Sequence, residues 1–309
     1  MNELPTSPLE RQLIAILAAN REDSFATQRQ RSIHVKEACR IVEAKFGLQK
    51  LANLGAKHVA AVVETWKAAH ADKRVLENKL ADLRWLVRKV GKANLMPRSN
   101  KDLGIQPAPR HTRAGKIVPP EKFESIVKSV QHPVIVAQIR LARAFGMRFE
   151  ETALFRPNVD IQDDRVRIAR GPKGGKSRFV MIRTRDQLIA IKAAKAVAVG
   201  GRGLIPEHFR TLKAFGDWVY AQLRAIGIGR STDVVFHDLR RTYAVERVRQ
   251  LVAAGRDPEA AADLVSRELG HHRREILEWY LGEGDLPVGG DALVVPIAEE
   301  WDEIRSELM

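Results

Sequence analysis

The chain of 309 residues has little sulfur chemistry: Cys39 is its one cysteine. A single thiol cannot build a disulfide framework or a cysteine zinc site. Aromatic residues amount to 6%, with only three tyrosines. That argues against a sheet of stacking platforms for single-stranded nucleic acid. No run approaches the roughly 20 apolar residues that cross a bilayer. The opening MNELPTSPLERQ has no basic-then-apolar order of the kind a secretory signal shows. Neither membrane insertion nor export is expected, and a cytoplasmic, nucleoid-associated protein is the reading. Hydrophobic residues make up 45%, enough for packed cores, and a chain this long points to two domains.

What is abundant is positive charge. The net charge is +14 with a pI of about 10.1. It is unevenly placed: residues 283–309 hold eight acidic residues and Arg305, a net of −7, which leaves +21 for residues 1–282. A body this basic is drawn to polyanions, and the acidic tail suits a protein surface.

Helical spacing appears first over Leu9–Leu17, then over Thr27–Phe46, with Ile33, Val35, Ala38, Ile41, Val42 and Ala44 on the apolar face and Gly47 as the stop. Two further helices are expected near Ala56–Ala69 and Lys73–Val90. Lys57, Lys67, Lys73, Arg74, Lys79, Arg84, Arg88 and Lys89 are assigned to the outer faces of a small basic bundle over residues 1–100. Residues 97–118 lose apolar periodicity and gain Pro, Gly and basic residues, so a basic linker is read there, with 101–118 as its body. Pro119-Pro120 opens a new helix, Val134–Phe145 makes another that ends at Gly146, and Pro157 cuts the next. RVRIAR (165–170) and SRFVMI (177–182) alternate as strands around the turn GPKGG, with Lys173 at the tip of a hairpin. Helices follow over 186–199, 212–226, 238–254, 258–269 and 273–281. The fold class is therefore mostly α with a small antiparallel β-hairpin, an α+β arrangement, with a second domain over 119–284 and an acidic tail over 285–309 that carries a short helix near 297–308.

Several residues invite chemistry. Arg148 follows a glycine turn and could direct its planar fork at a phosphate, or simply pair with a nearby Glu. Lys173 could donate a proton from the hairpin tip, with Lys176 and Arg178 close enough to compete for the role. His237 and Arg240 are three apart on a helix start, where free amides and the dipole favour an anion. His271 follows Gly270, and a metal pair with His272 is a weak alternative because adjacent side chains point apart. Tyr280, among Ile276, Leu277 and Leu281, could equally be a core aromatic. The order decides between these readings: His271 lies 34 residues after His237, and Tyr280 nine residues after His271. A phenol, two imidazoles and a guanidinium within 44 residues suit attack on a phosphodiester without a metal.

GMRFEE, GPKGGKSR, HDLRRTYA, LGHH and Tyr280 together resemble a tyrosine recombinase of the phage-integrase family over residues 119–282. The resemblance makes the second domain, over 119–284, a recombinase catalytic domain behind an N-terminal helical core-binding domain. It makes Tyr280 the nucleophile and Arg148 and Arg240 the clamp on the phosphate oxygens. His271 becomes a donor to the phosphate, Lys173 the general acid to the leaving 5′ oxygen, and His237 an aid to proton transfer. Lys57, Lys73, Arg74, Lys79, Arg84, Arg88, Lys176 and Arg178 become DNA contacts. No cofactor is implied. The implied partners are a double-stranded attachment site, a homotetramer on paired sites built from free monomers, and accessory directionality proteins. A topoisomerase of the type IB class and a regulator that only binds DNA are the alternative functions.

Overall fold

The computed structural model describes residues 7–69, 72–106, 117–171, 176–229 and 236–270. The chain divides into two units, residues 1–112 and 113–309. Among the described residues no helix is long and apolar enough to cross a membrane.

The first unit is helical. Helix α1 spans Pro8–Ala19, α2 Phe25–Phe46, α3 Ala56–Ala68 and α4 Lys73–Lys89. Ser24 caps α2 by accepting from the Thr27 N–H, and Gly47 ends it in the left-handed region at φ +61°, a conformation glycine adopts without cost. The apolar faces of α3 and α4 are the expected ones: Val59, Val62, Val63 and Trp66 pack on Leu76, Leu80, Leu83, Leu86 and Val87. On α2 the expectation fails at Ile33, which is 52% exposed while Arg31 and His34 are buried. Asp82 of α4 explains the inversion. Its carboxylate accepts from Arg31 Nε at 3.2 Å and lies 2.8 Å from His34 Nδ1. A buried charge tolerates burial only with such partners.

The linker is shorter than expected. Met96 and Ile105 are buried in the first unit's core, and Arg84 donates to the Pro97 carbonyl and the Asn100 side chain. On the far side, Val118 is buried and its N–H donates to Thr242 Oγ1 at 2.9 Å. Residues 107–116 lie outside the described residues.

The second unit is built round α6 (Pro133–Phe145), whose two faces serve two core clusters. Ahead of it lies α5 (Pro120–Ser129); after it come α7 (Phe149–Ala153) and α8 (Pro157–Asp160), separated as Pro157 requires. Strands β1 (Ile161–Gln162), β2 (Arg165–Ile168) and β3 (Arg178–Met181) form one antiparallel sheet in the order β1-β2-β3, with Val166 opposite Val180. The two-residue β1 is too short to show alternation, and the sequence reading omitted it. Helices α9 (Arg185–Val197), α10 (Leu212–Ala225), α11 (Phe236–Ala253) and α12 (Pro258–Glu268) complete the described part. The helix expected over 273–281 and the acidic tail over 285–309 lie outside it.

Replacing Asp82 with alanine removes the shared partner of Arg31 and His34 and leaves Arg31 the half-exposed Asp23 at 2.7 Å, so the first unit should lose about 1–3 kcal/mol. Denaturant unfolding followed by tryptophan fluorescence measures this; a change within 0.5 kcal/mol would show that the ion pair contributes little.

Candidate active site

Helix α6 ends at Gly146, which takes φ +62° and has no room for a side chain. A Cβ there would stand 2.6 Å from Leu269 Cδ2 and from Tyr243 Cδ1. This turn sends the chain directly into Arg148, the cap residue of α7. Three residues on, Glu151 turns back. Its Oε2 accepts the Arg148 backbone N–H at 2.8 Å, and its Oε1 accepts Arg148 Nη1 at 2.8 Å.

Glu151 is the centre of the site. Its side chain is fully buried, yet Arg178 of β3 grips both oxygens, at 2.8 and 2.7 Å, and Arg240 Nη1 approaches to 3.7 Å. Burial alone would raise the carboxyl's pKa. The fork of Arg178, the charge of Arg240 and the Arg148 amide outweigh burial and bring it down to about 2.

The same arginines reach further. Arg178 Nε donates to the Glu268 carbonyl at 2.7 Å. Arg240, on the first turn of α11 and fully buried, donates to the Gly146 carbonyl and to the Leu269 carbonyl, the latter at 2.6 Å. Two guanidinium groups thus meet the C-terminal carbonyls of α12, the negative end of its dipole.

Arg148, His237 and Arg240 line one cavity of about 1210 Å³. His237 opens to solvent. Desolvation, with help from the charges of Arg240 and Arg148, lowers its pKa, which favours the neutral imidazole, the form able to accept a proton. The phenol of Tyr243, in the same HDLRRTYA stretch, cannot serve as a nucleophile. It is buried, donates to Glu268 Oε2 at 2.7 Å, and is pushed well above the ordinary phenol pKa by burial and by the Glu268 charge. Glu268 also holds Arg183 at 3.3 Å and Arg247 at 3.5 Å.

The structure thus brings together three of the six catalytic candidates; Lys173, His271 and Tyr280 lie outside the described residues. Of the DNA-contact candidates, Lys57, Lys73, Arg74, Arg88 and Lys176 are exposed. Arg178 is not a surface contact: it is buried against Glu151 because that carboxylate needs a bidentate partner. Lys79 is committed to Glu37 at 2.8 Å and lies over Trp66, and Arg84 is held by Pro97 and Asn100. The Arg148–Glu151 pair and the cavity are not alternatives, since Arg148 holds the carboxylate and lines the cavity at once. The signal for Glu151 was its position three residues after a helix cap, the spacing of a capping box. Among the described residues no group of three or more His, Cys, Asp or Glu side chains could hold a metal ion.

The folded carboxyl of Glu151 is depressed, so its contribution to stability is present above the unfolded value of 4.5 and disappears as pH falls towards 2. That shift corresponds to about 3 kcal/mol at neutral pH. Glu151→Gln should lower stability at pH 7 by about this amount and flatten the acid limb in a denaturation series; an unchanged limb would show that the ion cluster is not a stabilising one.

The family model described as "Phage integrase, N-terminal" matches residues 6–96, and that described as "Integrase" matches residues 107–246. None of the curated proteins matches the chain. Among solved structures, a lambda integrase dimer bound to a COC′ core site is 15% identical, with 93% of this chain and 79% of that chain covered and a TM-score of 0.62. The Tn1549 transposon integrase in complex with circular intermediate DNA is 11% identical over 97% of this chain and 98% of that one, with a TM-score of 0.56. XerH recombinase bound to palindromic difH substrate is 16% identical over 88% and 80%, with a TM-score of 0.55. At these identities the likeness is one of fold, and it extends over both units. The two matched regions and the motifs along the second carry the assignment: the chain belongs to the phage integrase family of tyrosine recombinases.

Proposed function

We propose that this recombinase cuts and rejoins duplex DNA at a specific site through a 3′-phosphotyrosine link formed by Tyr280. The observation that carries the reading is the meeting of Arg148, His237 and Arg240 on one cavity, although the first and last are 92 residues apart in the sequence. The oxygen of Tyr280 attacks the scissile phosphorus, and the bond to the 5′ oxygen breaks. The leaving oxygen takes a proton from Lys173, while the neutral imidazole of His237 accepts the phenol's proton. One phosphodiester is exchanged for another, so the link conserves the bond and the reverse step rejoins the strands.

Arg148 and Arg240 supply charge where the pentavalent transition state gathers it, with His271 as a further donor. Preorganised donors of this kind act without reorganising at the moment of reaction. The cluster around Glu151 supports this role, since two arginines otherwise repel and a shared buried carboxylate lets them stand together. The partner is double-stranded DNA, drawn by a body of net charge +21 over residues 1–282 and held by phosphate contacts from exposed cations such as Lys57, Lys73, Arg74, Arg88 and Lys176. Lambda integrase forms a tetramer bound to a Holliday junction, and we read the same assembly on paired sites for this chain, from free monomers and in the service of a mobile element.

On a nicked duplex that traps the intermediate, the wild type should form a covalent adduct at its attachment site, and Tyr280→Phe should bind the same DNA without forming one. Equal adduct yields would assign the nucleophile elsewhere. Arg148→Ala should lower the cleavage rate by about 10²–10³-fold with a much smaller effect on binding measured by gel shift. Relaxation of any supercoiled plasmid by the monomer would instead favour the topoisomerase activity.

A further inference from the structure

The cavity beside Arg148 is larger than a phosphate cradle. At about 1210 Å³ it exceeds the roughly 300–1,000 Å³ of pockets that enclose a drug-sized ligand. Its other wall is one face of α10, where Asp217, Tyr220 and Arg224 recur at helical spacing. The Tyr220 ring centroid lies 5.3 Å from Phe149 and 6.0 Å from Phe236, and those two rings are 5.2 Å apart. Phe149 adjoins Arg148 and Phe236 adjoins His237 in the sequence. The rings and the catalytic candidates are therefore carried on the same two helix starts. Arg224 is exposed, and its stem passes Gly229, where a Cβ would stand 3.6 Å from its Cγ.

A phosphodiester needs donors, not rings. Rings with a planar cation beside them suit a nucleobase and the phosphate attached to its sugar. The wall is continuous with the place where Arg148 and Arg240 stand, so a base entering it belongs to a nucleotide adjoining the phosphate they hold. A base inside a duplex has both faces covered, and to reach the rings it must leave the stack.

We propose that Tyr220 and Arg224 form a nucleotide subsite next to the scissile phosphate, Tyr220 taking an unstacked base and Arg224 the adjoining phosphate. The proposal rests on the recombinase reading of the same cavity and adds a specificity site to it. Sequence preference beside the cut then arises from how readily a given base leaves the stack and how well it covers the ring.

The test needs no knowledge of the target sequence. The full chain is titrated with thymidine 3′,5′-bisphosphate and with the same bisphosphate lacking the base, by calorimetry or NMR. The base should strengthen binding about tenfold or more. Tyr220→Ala should abolish that difference, Tyr220→Phe should keep it, and Arg224→Ala should weaken both ligands alike. Equal affinity of the two ligands for the wild type, a base dependence untouched by Tyr220→Ala, or no binding of either ligand into the millimolar range overturns the subsite. Adduct formation on a nicked duplex is read separately. An adduct without base dependence sinks the subsite alone; base-dependent binding without an adduct upholds the subsite and sinks the strand-cutting reading.

Discussion

One carboxylate governs this site. Glu151 is fully buried and shares its two oxygens among Arg148, Arg178 and Arg240. The desolvation of a lone carboxylate would be prohibitive, and three guanidinium groups crowded together without it would repel one another. Each cost is met by the other. The elements that bear these side chains, the cap of α7, the start of β3 and the first turn of α11, are thereby tied at one point. Arg148 and Arg240, the proposed phosphate clamp, are thus held in place by protein contacts alone, as electrostatic catalysis would require.

The tie extends past the carboxylate. Arg178 and Arg240 also close on the carbonyls of Glu268 and Leu269, the last groups of α12 before Gly270. Gly270 itself takes φ +68°, which favours glycine, and a Cβ there would crowd the Arg178 stem at 3.1 Å. A second carboxylate, Glu268, repeats the pattern one layer away with Tyr243, Arg183 and Arg247. Arginines in a strongly basic protein are thus divided into two populations. Some are spent internally on buried acids, and others remain on the surface for a polyanion. Net charge cannot distinguish the two.

That division explains what was legible in the sequence. Helix limits followed from local chemistry: Gly47 and Gly146 stop α2 and α6 in left-handed turns, and Pro157 separates α7 from α8. The faces of α3 and α4 followed from apolar spacing. Arg148, His237 and Arg240 stand out in the sequence through their motifs, and the structure gathers them on one cavity. Ile33 was misassigned because the buried face of α2 is chosen by Asp82, 49 residues further along the chain. Arg178 was misread as a DNA contact, and Glu151 was passed over, for the same reason. Whether a charged residue faces water or a buried partner depends on a pairing between distant segments, which periodicity does not record. Lys79 and Arg84 fell to the same ambiguity.

A buried ion cluster also constrains how the site can change. A catalytic arginine paired to an exposed acid could be released at little cost, since such pairs contribute about 0–1 kcal/mol. Arg240 has no such freedom: it is fully buried and fastened to two backbone carbonyls as well as to the carboxylate's field. Arg148 is different, because its side chain stays 23% exposed and contacts Glu151 through Nη1 alone. The two guanidiniums therefore divide the work unequally. In the proposed phosphate clamp, Arg240 would be the fixed reference and Arg148 the member able to adjust its fork. An arrangement with one immobile and one adaptable cation would suit the proposed reaction, which runs in both directions, since the same pair would meet the DNA phosphodiester and the phosphotyrosine link that replaces it.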